Sequence, residues 1–288
     1  MSWFFLACTT ALTQAVKDTF LKKSLGTTDA GLAMLVYTAS ASAVLWIGAG
    51  LSPAPALGAS FWPLLTVAGA LGGLTYWLYG QALKRGDLSL TLPMLAFTPL
   101  FLLATSPLTV GEFPEPAGLG GVSLVVAGAY VLNLRERRHG LLGPVRALVT
   151  NPGSRLMLLV AVIWSLGANL DKLGLTASSP ALWGASVYTA TTLALLPTVL
   201  ARPGRVLRQL AGLPWPLLVA GCLEAVGIFC QMLALPQTQV AYVIAVKRLS
   251  IVFAVLLGAA VFREPDLAHR LPGALLMVAG VFFIAVFG

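Results

Sequence analysis

The chain has 288 residues, 58% of them hydrophobic and only 10% charged, against ~45–50% and ~25% in soluble domains. That balance excludes a soluble globular protein, and the net charge of +8 comes without the aromatic-interleaved basic patch that nucleic-acid binding would need. Three scattered cysteines, Cys8, Cys222 and Cys230, exclude a disulfide framework or a spaced metal site.

Apolar runs recur from end to end and predict ten membrane-spanning helices, at 3–21, 30–49, 60–82, 88–108, 117–134, 156–174, 181–200, 215–235, 240–262 and 270–287. Each is about 20 residues long, enough at ~1.5 Å per residue to cross a hydrocarbon core of ~30 Å. The first span starts at Trp3 with no basic residue before it, so it is expected to stay in the protein rather than leave as a signal peptide. It carries a stripe of Thr10, Thr13, Gln14 and Lys17. Lys17, Asp18, Lys22 and Lys23 lie near its cytoplasmic end, where long side chains reach back to water, and are expected to serve mostly as anchors.

The third span presents Gly72, Thr75, Tyr76 and Tyr79, the tyrosines being candidates for stacking on a solute. The fourth contains Pro93, Pro99 and Pro107. Proline removes a backbone donor and disturbs the helix, so Pro93 and Pro99 are candidate hinge residues. After the fifth span, residues 135–155 form a basic connector rich in Gly and Pro, expected to be a cytoplasmic linker. The sixth span holds Ser165, Asn169 and Lys172, with Asp171 and Lys172 able to pair at its external end.

In the eighth span Gly221, Glu224, Gly227 and Gln231 recur at i, i+3, i+6 and i+10, close to one helical face. The ninth, Val240–Phe262, is apolar throughout except for Lys247 and Arg248. A base at mid-span costs ~2.5–3.5 kcal/mol to insert and usually faces a bundle interior or a watery cavity. Glu224 lies at a similar depth, so one of the two bases is expected to pair with it. The other, pointing ~100° away on the helix, would then face the cavity. The alternative is a purely structural salt bridge between the eighth and ninth helices.

Basic residues cluster in the odd-numbered connectors, which places those loops in the cytoplasm and both termini outside. The chain also repeats: Val36-Tyr37-Thr38 recurs as Val187-Tyr188-Thr189 at an offset of 151, while Ala82-Leu83 recurs as Ala234-Leu235 and Val126-Ala127-Gly128 as Val278-Ala279-Gly280 at 152. Gly121 meets Gly273, and Gly111-Glu112 meets Arg263-Glu264, in the same register. Each half holds five spans, an odd number, so the second must insert upside down relative to the first. The predicted fold is therefore an all-α membrane protein of ten helices as two inverted five-helix repeats (5+5), with residues 1–134 and 156–288 as the halves. Inverted repeats place a solute site near the midplane between halves.

The half-ending pattern of acidic residue, glycine, apolar run and Ala-Gly, seen as Glu112, Gly121 and Ala127-Gly128 and again as Glu264, Gly273 and Ala279-Gly280, resembles the paired EamA-type domains of the drug/metabolite transporter superfamily. The resemblance implies a secondary transporter, often an exporter of amino acids or related metabolites. It also implies a cavity lined by the first, third and fourth helices of each half, with the fifth peripheral.

Together these readings predict a multi-pass protein of a bacterial inner membrane, moving a small polar metabolite that is amino-acid-like or anionic. The candidate cavity residues are Lys247, Arg248, Glu224, Gln231, Tyr76, Tyr79, Gln14 and Asn169. Expected partners are a small-molecule solute and the bilayer, with no nucleic acid and no cofactor; ion coupling stays open, and the chain is a monomer or homodimer. A lipid-headgroup flippase or a non-transporting membrane partner is the alternative. An intramembrane enzyme is disfavoured, because no HExxH, paired intramembrane aspartates or Ser–His arrangement is present.

Overall fold

A computed structural model describes residues 2–85, 91–132, 151–201, 209, 212–262 and 267–287. Most of the 135–155 linker and Glu264 lie outside the described residues. In chain order the helices are α1 (Ser2–Leu25), α2 (Ala30–Gly50), α3 (Phe61–Arg85), α4 (Thr98–Thr109), α5 (Pro116–Leu132), α6 (Pro152–Thr176), α7 (Pro180–Leu200), α8 (Trp215–Ala234), α9 (Val240–Lys247), α10 (Ser250–Phe262) and α11 (Leu267–Phe287). Among the described residues, four stretches are both long and apolar enough to span a bilayer by themselves: α2, α3, α6 and Trp215–Gln237. Helix α1 carries Lys17, Asp18, Lys22 and Lys23 and is correspondingly more polar.

The helix starts are written locally. Asp29, Asn151 and Ser179 accept backbone N–H groups at the starts of α2, α6 and α7, and Pro152 and Pro180 follow at the first helical position, where a missing N–H costs nothing. Helix α4 ends at Gly111, whose φ of 71° is open to glycine and strained for other residues.

The ninth span is not one continuous helix. It breaks at Arg248–Leu249, where backbone bonds shorten to the i→i−3 pattern, Arg248 N to Ala245 O and Leu249 N to Val246 O. In the fourth span a 3₁₀ turn over Leu92–Phe97 precedes α4. Adding 152 to those numbers gives 244–249, so both halves tighten at the same place in the repeat. The sequence had suggested backbone irregularity in the first half and ionised side chains in the second; the structure puts a tightened turn in both.

Helices from the two halves interleave. Helix α1 packs on α8, and α3 on α6; α3 packs on α7, and α2 on α8; α4 packs on α6, and α1 on α9 and α10. Exchanging the halves turns each of these pairings into its companion, while α2 on α7, α4 on α9 and α5 on α11 map onto themselves. Hydrophobic burial does not drive helices together in lipid, so close packing of small residues has to. At the α5–α11 crossing a Cβ on Gly128 would lie 2.7 Å from Gly273 O, and one on Gly280 would lie 2.6 Å from Gly121 O. The repeated glycines of the two half-endings are therefore the residues that let these two helices touch. Outward faces carry exposed apolar side chains such as Phe5, Ile47, Trp62, Leu108 and Phe282, whereas Lys17, Glu224, Gln231 and Arg248 are buried. The molecule is a multi-pass integral membrane protein, with an apolar exterior and a cluster of charged and polar side chains inside an otherwise apolar core.

Candidate functional site

The site begins where α1 crosses α8. Thr10 Oγ1 donates to Gly227 O at 2.9 Å, and a side chain at Gly227 would collide with Thr13 Oγ1 at 2.6 Å. This close approach brings Lys17, further along α1, onto Glu224 of α8. Lys17 Nζ forms an ion pair with Glu224 Oε2 and donates to Tyr37 Oη at 2.8 Å, lying 5.4 Å from the Tyr37 ring centroid. Glu224 Oε1 accepts from Tyr188 Oη at 2.5 Å and Tyr76 Oη at 2.9 Å, and the two hydroxyls are 2.6 Å apart. Each hydroxyl has one proton, so at most two of these three contacts carry hydrogen at once. Either way the carboxylate is buried at 6% exposure with a cation and hydroxyl donors around it.

Two expectations are corrected here. Lys17 is not an anchor reaching for water but the ion partner of Glu224, at 4% exposure. Neither Lys247 nor Arg248 pairs with Glu224. Lys247 Nζ donates to Gln231 Oε1 at 2.7 Å, and Arg248 Nη2 donates across to Thr98 Oγ1 of α4 at 2.9 Å. Adjacent residues of a helix point ~100° apart, so the two bases reach different neighbours. Arg248 Nε remains buried without a partner, as does Gln14 Oε1.

These groups surround a cavity of about 100 Å³. Of the candidate residues, Gln14, Tyr76, Glu224, Gln231, Lys247 and Arg248 line it. Tyr79 and Asn169 do not. Tyr79 donates to Asp18 Oδ1 at 3.3 Å and packs on Trp164 with ring centroids 5.4 Å apart. Asn169 is fully buried between Ser106 (2.8 Å) and Thr105 (3.1 Å), fastening α6 to α4. Pro99 is buried in the first turn of α4, while Pro93 falls in the 3₁₀ turn beside it.

Sequence reasoning missed Lys17, Thr98, Trp164, Asp171 and Tyr188 as cavity residues. Tyr188 was legible in principle: it belongs to the recurring Val-Tyr-Thr tripeptide, and its counterpart Tyr37 holds the other side of the same ion pair. The first, third and fourth spans of each half contribute to the lining, and so does α7 through Val187, Tyr188 and Thr191.

Asp171 and Lys172 do not pair with each other. Asp171 Oδ1 accepts from Trp183 Nε1 at 3.0 Å. Lys172 pairs with Glu112 and donates to Thr238 O at 2.7 Å, and Glu112 Oε2 accepts the first N–H of α9, from Val240, at 3.0 Å. Gly111 makes this possible by ending α4 and turning Glu112 towards the second half.

The model of the EamA-like transporter family matches residues 1–134 and again 151–286. The chain belongs to the EamA-like transporter family. It is thus a membrane transporter of the drug/metabolite type, and such proteins are carriers rather than enzymes. A solved structure described only as a crystal structure of a protein is similar to it with a TM-score of 0.71 at 18% identity, over 98% of this chain and 96% of that one. At that identity the likeness concerns the fold alone. No curated protein shows significant sequence similarity to this transporter.

Proposed function

We propose that the protein moves a small polar metabolite, zwitterionic and amino-acid-like or simply anionic, by alternating access between inverted halves, with export as the direction that family membership favours. The observation that carries this reading is the pairing of charges around the cavity. Glu224 is satisfied by Lys17, whereas Lys247 and Arg248 have only neutral partners. Two bases at membrane depth without a direct ion pair are costly, and a carboxylate or other anionic group on the solute offsets that cost. The cavity, at about 100 Å³, is smaller than the ~300–1,000 Å³ of drug-sized pockets, which favours a compact solute in this conformation.

Residues 1–134 and 156–288 are the moving halves, joined by the 135–155 linker, with both termini outside a bacterial inner membrane. The groups Glu112, Lys172, Thr238 and Val240 belong to the connectors assigned to the external face. Their contacts join the halves there, so we read them as the latch of the closed external gate. The tightened turns near Pro93–Phe97 and Arg248–Leu249 are the bending points, since a 3₁₀ segment within a span often marks a hinge. No cofactor is required.

Uptake into proteoliposomes of labelled amino acids and small organic acids, with labelled phospholipid as a separate arm, tests the proposal. Lys247→Met and Arg248→Met should each abolish solute movement while the protein stays folded. Normal transport by both variants would overturn it, and movement of phospholipid alone would replace the carrier with a flippase.

A further inference from the structure

The cavity holds two carboxylates in very different circumstances. Glu224 faces a lysine and two tyrosine hydroxyls. Asp171 also lines the cavity. Its hydrogen-bond partner is a neutral indole on Oδ1, and no base among the described residues lies within ion-pair distance. The neighbouring Lys172 is turned away to Glu112. Asp171 is only partly buried and faces the cavity, so its carboxylate can meet whatever enters.

Position along the helices gives a second observation. Asp171 is five residues before the end of α6 at Thr176, or ~8 Å from that end. Lys247 is seven residues from the start of α9 at Val240, or ~10 Å. Both ends lie at the latch face, because Lys172 and Val240 share Glu112. Asp171 and Lys247 thus sit at similar depth across one small cavity. Lys17 and Glu224 lie deeper, about midway along α1 and α8.

We propose that Asp171, rather than Glu224, is the cation-selecting acid of this transporter: it receives the ammonium group of a zwitterionic solute whose carboxylate rests against Lys247 and Arg248, both of which line the cavity. Glu224 is then a positioning residue. Its charge holds Lys17, and its hydroxyl contacts hold Tyr76 and Tyr188 as the aromatic wall. This inference rests on the function proposed above and adds the residue that separates amino acids from their deaminated analogues.

The test uses purified full-length protein and matched probes, alanine against propionate and serine against 3-hydroxypropionate, read as binding by ligand-induced thermal stabilisation. Wild type should prefer each amino acid over its partner roughly tenfold or more, as a charge-assisted hydrogen bond supplies. Asp171→Asn should abolish that preference while keeping affinity for the acids; asparagine still accepts from Trp183 Nε1, which protects the fold. The double variant Lys17→Met/Glu224→Gln disturbs the aromatic wall and should weaken binding of each amino acid and its deaminated partner by the same factor, so that the ratio between them stays.

Loss of the preference in the double variant but not in Asp171→Asn would overturn the assignment. A wild type that binds propionate as well as alanine, with Lys247→Met losing both, would overturn it while leaving the anion reading intact. Wild type stabilised by none of the probes would overturn both.

Discussion

Replacing Lys17 by methionine strips Glu224 of its cation while leaving most of the side-chain volume in place. Both groups are nearly inaccessible, at 4% and 7% side-chain exposure, so water cannot take over the lost role. Removing one partner of a buried pair costs ~3–5 kcal/mol, because the survivor is left charged and uncompensated. The two hydroxyls on Glu224 Oε1 soften this for the acid, so Lys17→Met should fall towards the lower end, near ~3 kcal/mol. Glu224→Gln leaves the ammonium with Tyr37 and an amide oxygen and should cost about as much. The double variant should recover much of the loss, since it buries no charge, giving a coupling on the order of 2 kcal/mol or more. Unfolding of the detergent-solubilised protein by denaturant reads these differences, with wild type and all three variants forming a double-mutant cycle. Single variants that are no less stable than wild type, or a double variant as unstable as the two losses summed, would refute a buried ion pair at this crossing.

Three further outcomes follow from the geometry. Gly128→Leu should destabilise by at least ~1–3 kcal/mol because its Cβ meets backbone of α11; Gly120→Ala, where nothing lies within 4 Å, should be near neutral in the same unfolding assay. Thr98→Val removes the acceptor of Arg248 Nη2 and should weaken solute binding several-fold while Thr98→Ser preserves it, as measured by thermal stabilisation; equal binding by both variants would show that the bond does not orient the guanidinium. Glu112→Gln should loosen the external latch, increasing labelling from outside of a reporter cysteine at Gly167, a cavity position with room for a side chain, in a background lacking Cys8, Cys222 and Cys230. An unchanged labelling rate would mean that these contacts do not gate the cavity.

Much of the architecture was readable because the membrane imposes it. Apolar runs of span length and the constant repeat offset each reflect a constraint that acts along the chain. The half-ending glycines were visible as a repeat, and their packing at the α5–α11 crossing supplies the physical reason. The position of Lys247, Arg248 and Glu224 along their own helices was also readable, since it follows from counting residues. Pairing was not. Lys17 looked like an anchor because it sits near other lysines, and only the angle at which α1 crosses α8 carries it inward. The break at Arg248–Leu249 was hidden for a related reason: residues 240–257 contain neither proline nor glycine to mark it, and the reach of Arg248 across to Thr98 is a tertiary contact.

By itself, then, the sequence determined a helical multi-pass membrane protein with a duplicated chain and charges inside apolar helices, because hydropathy and periodicity are one-dimensional quantities. The tertiary structure alone decided which charge neutralises which: Lys17 with Glu224, Lys172 with Glu112, and Lys247, Arg248 and Asp171 left facing the cavity. Ion pairing falls off over a few ångströms, and residues more than two hundred positions apart come that close only through the way the helices cross.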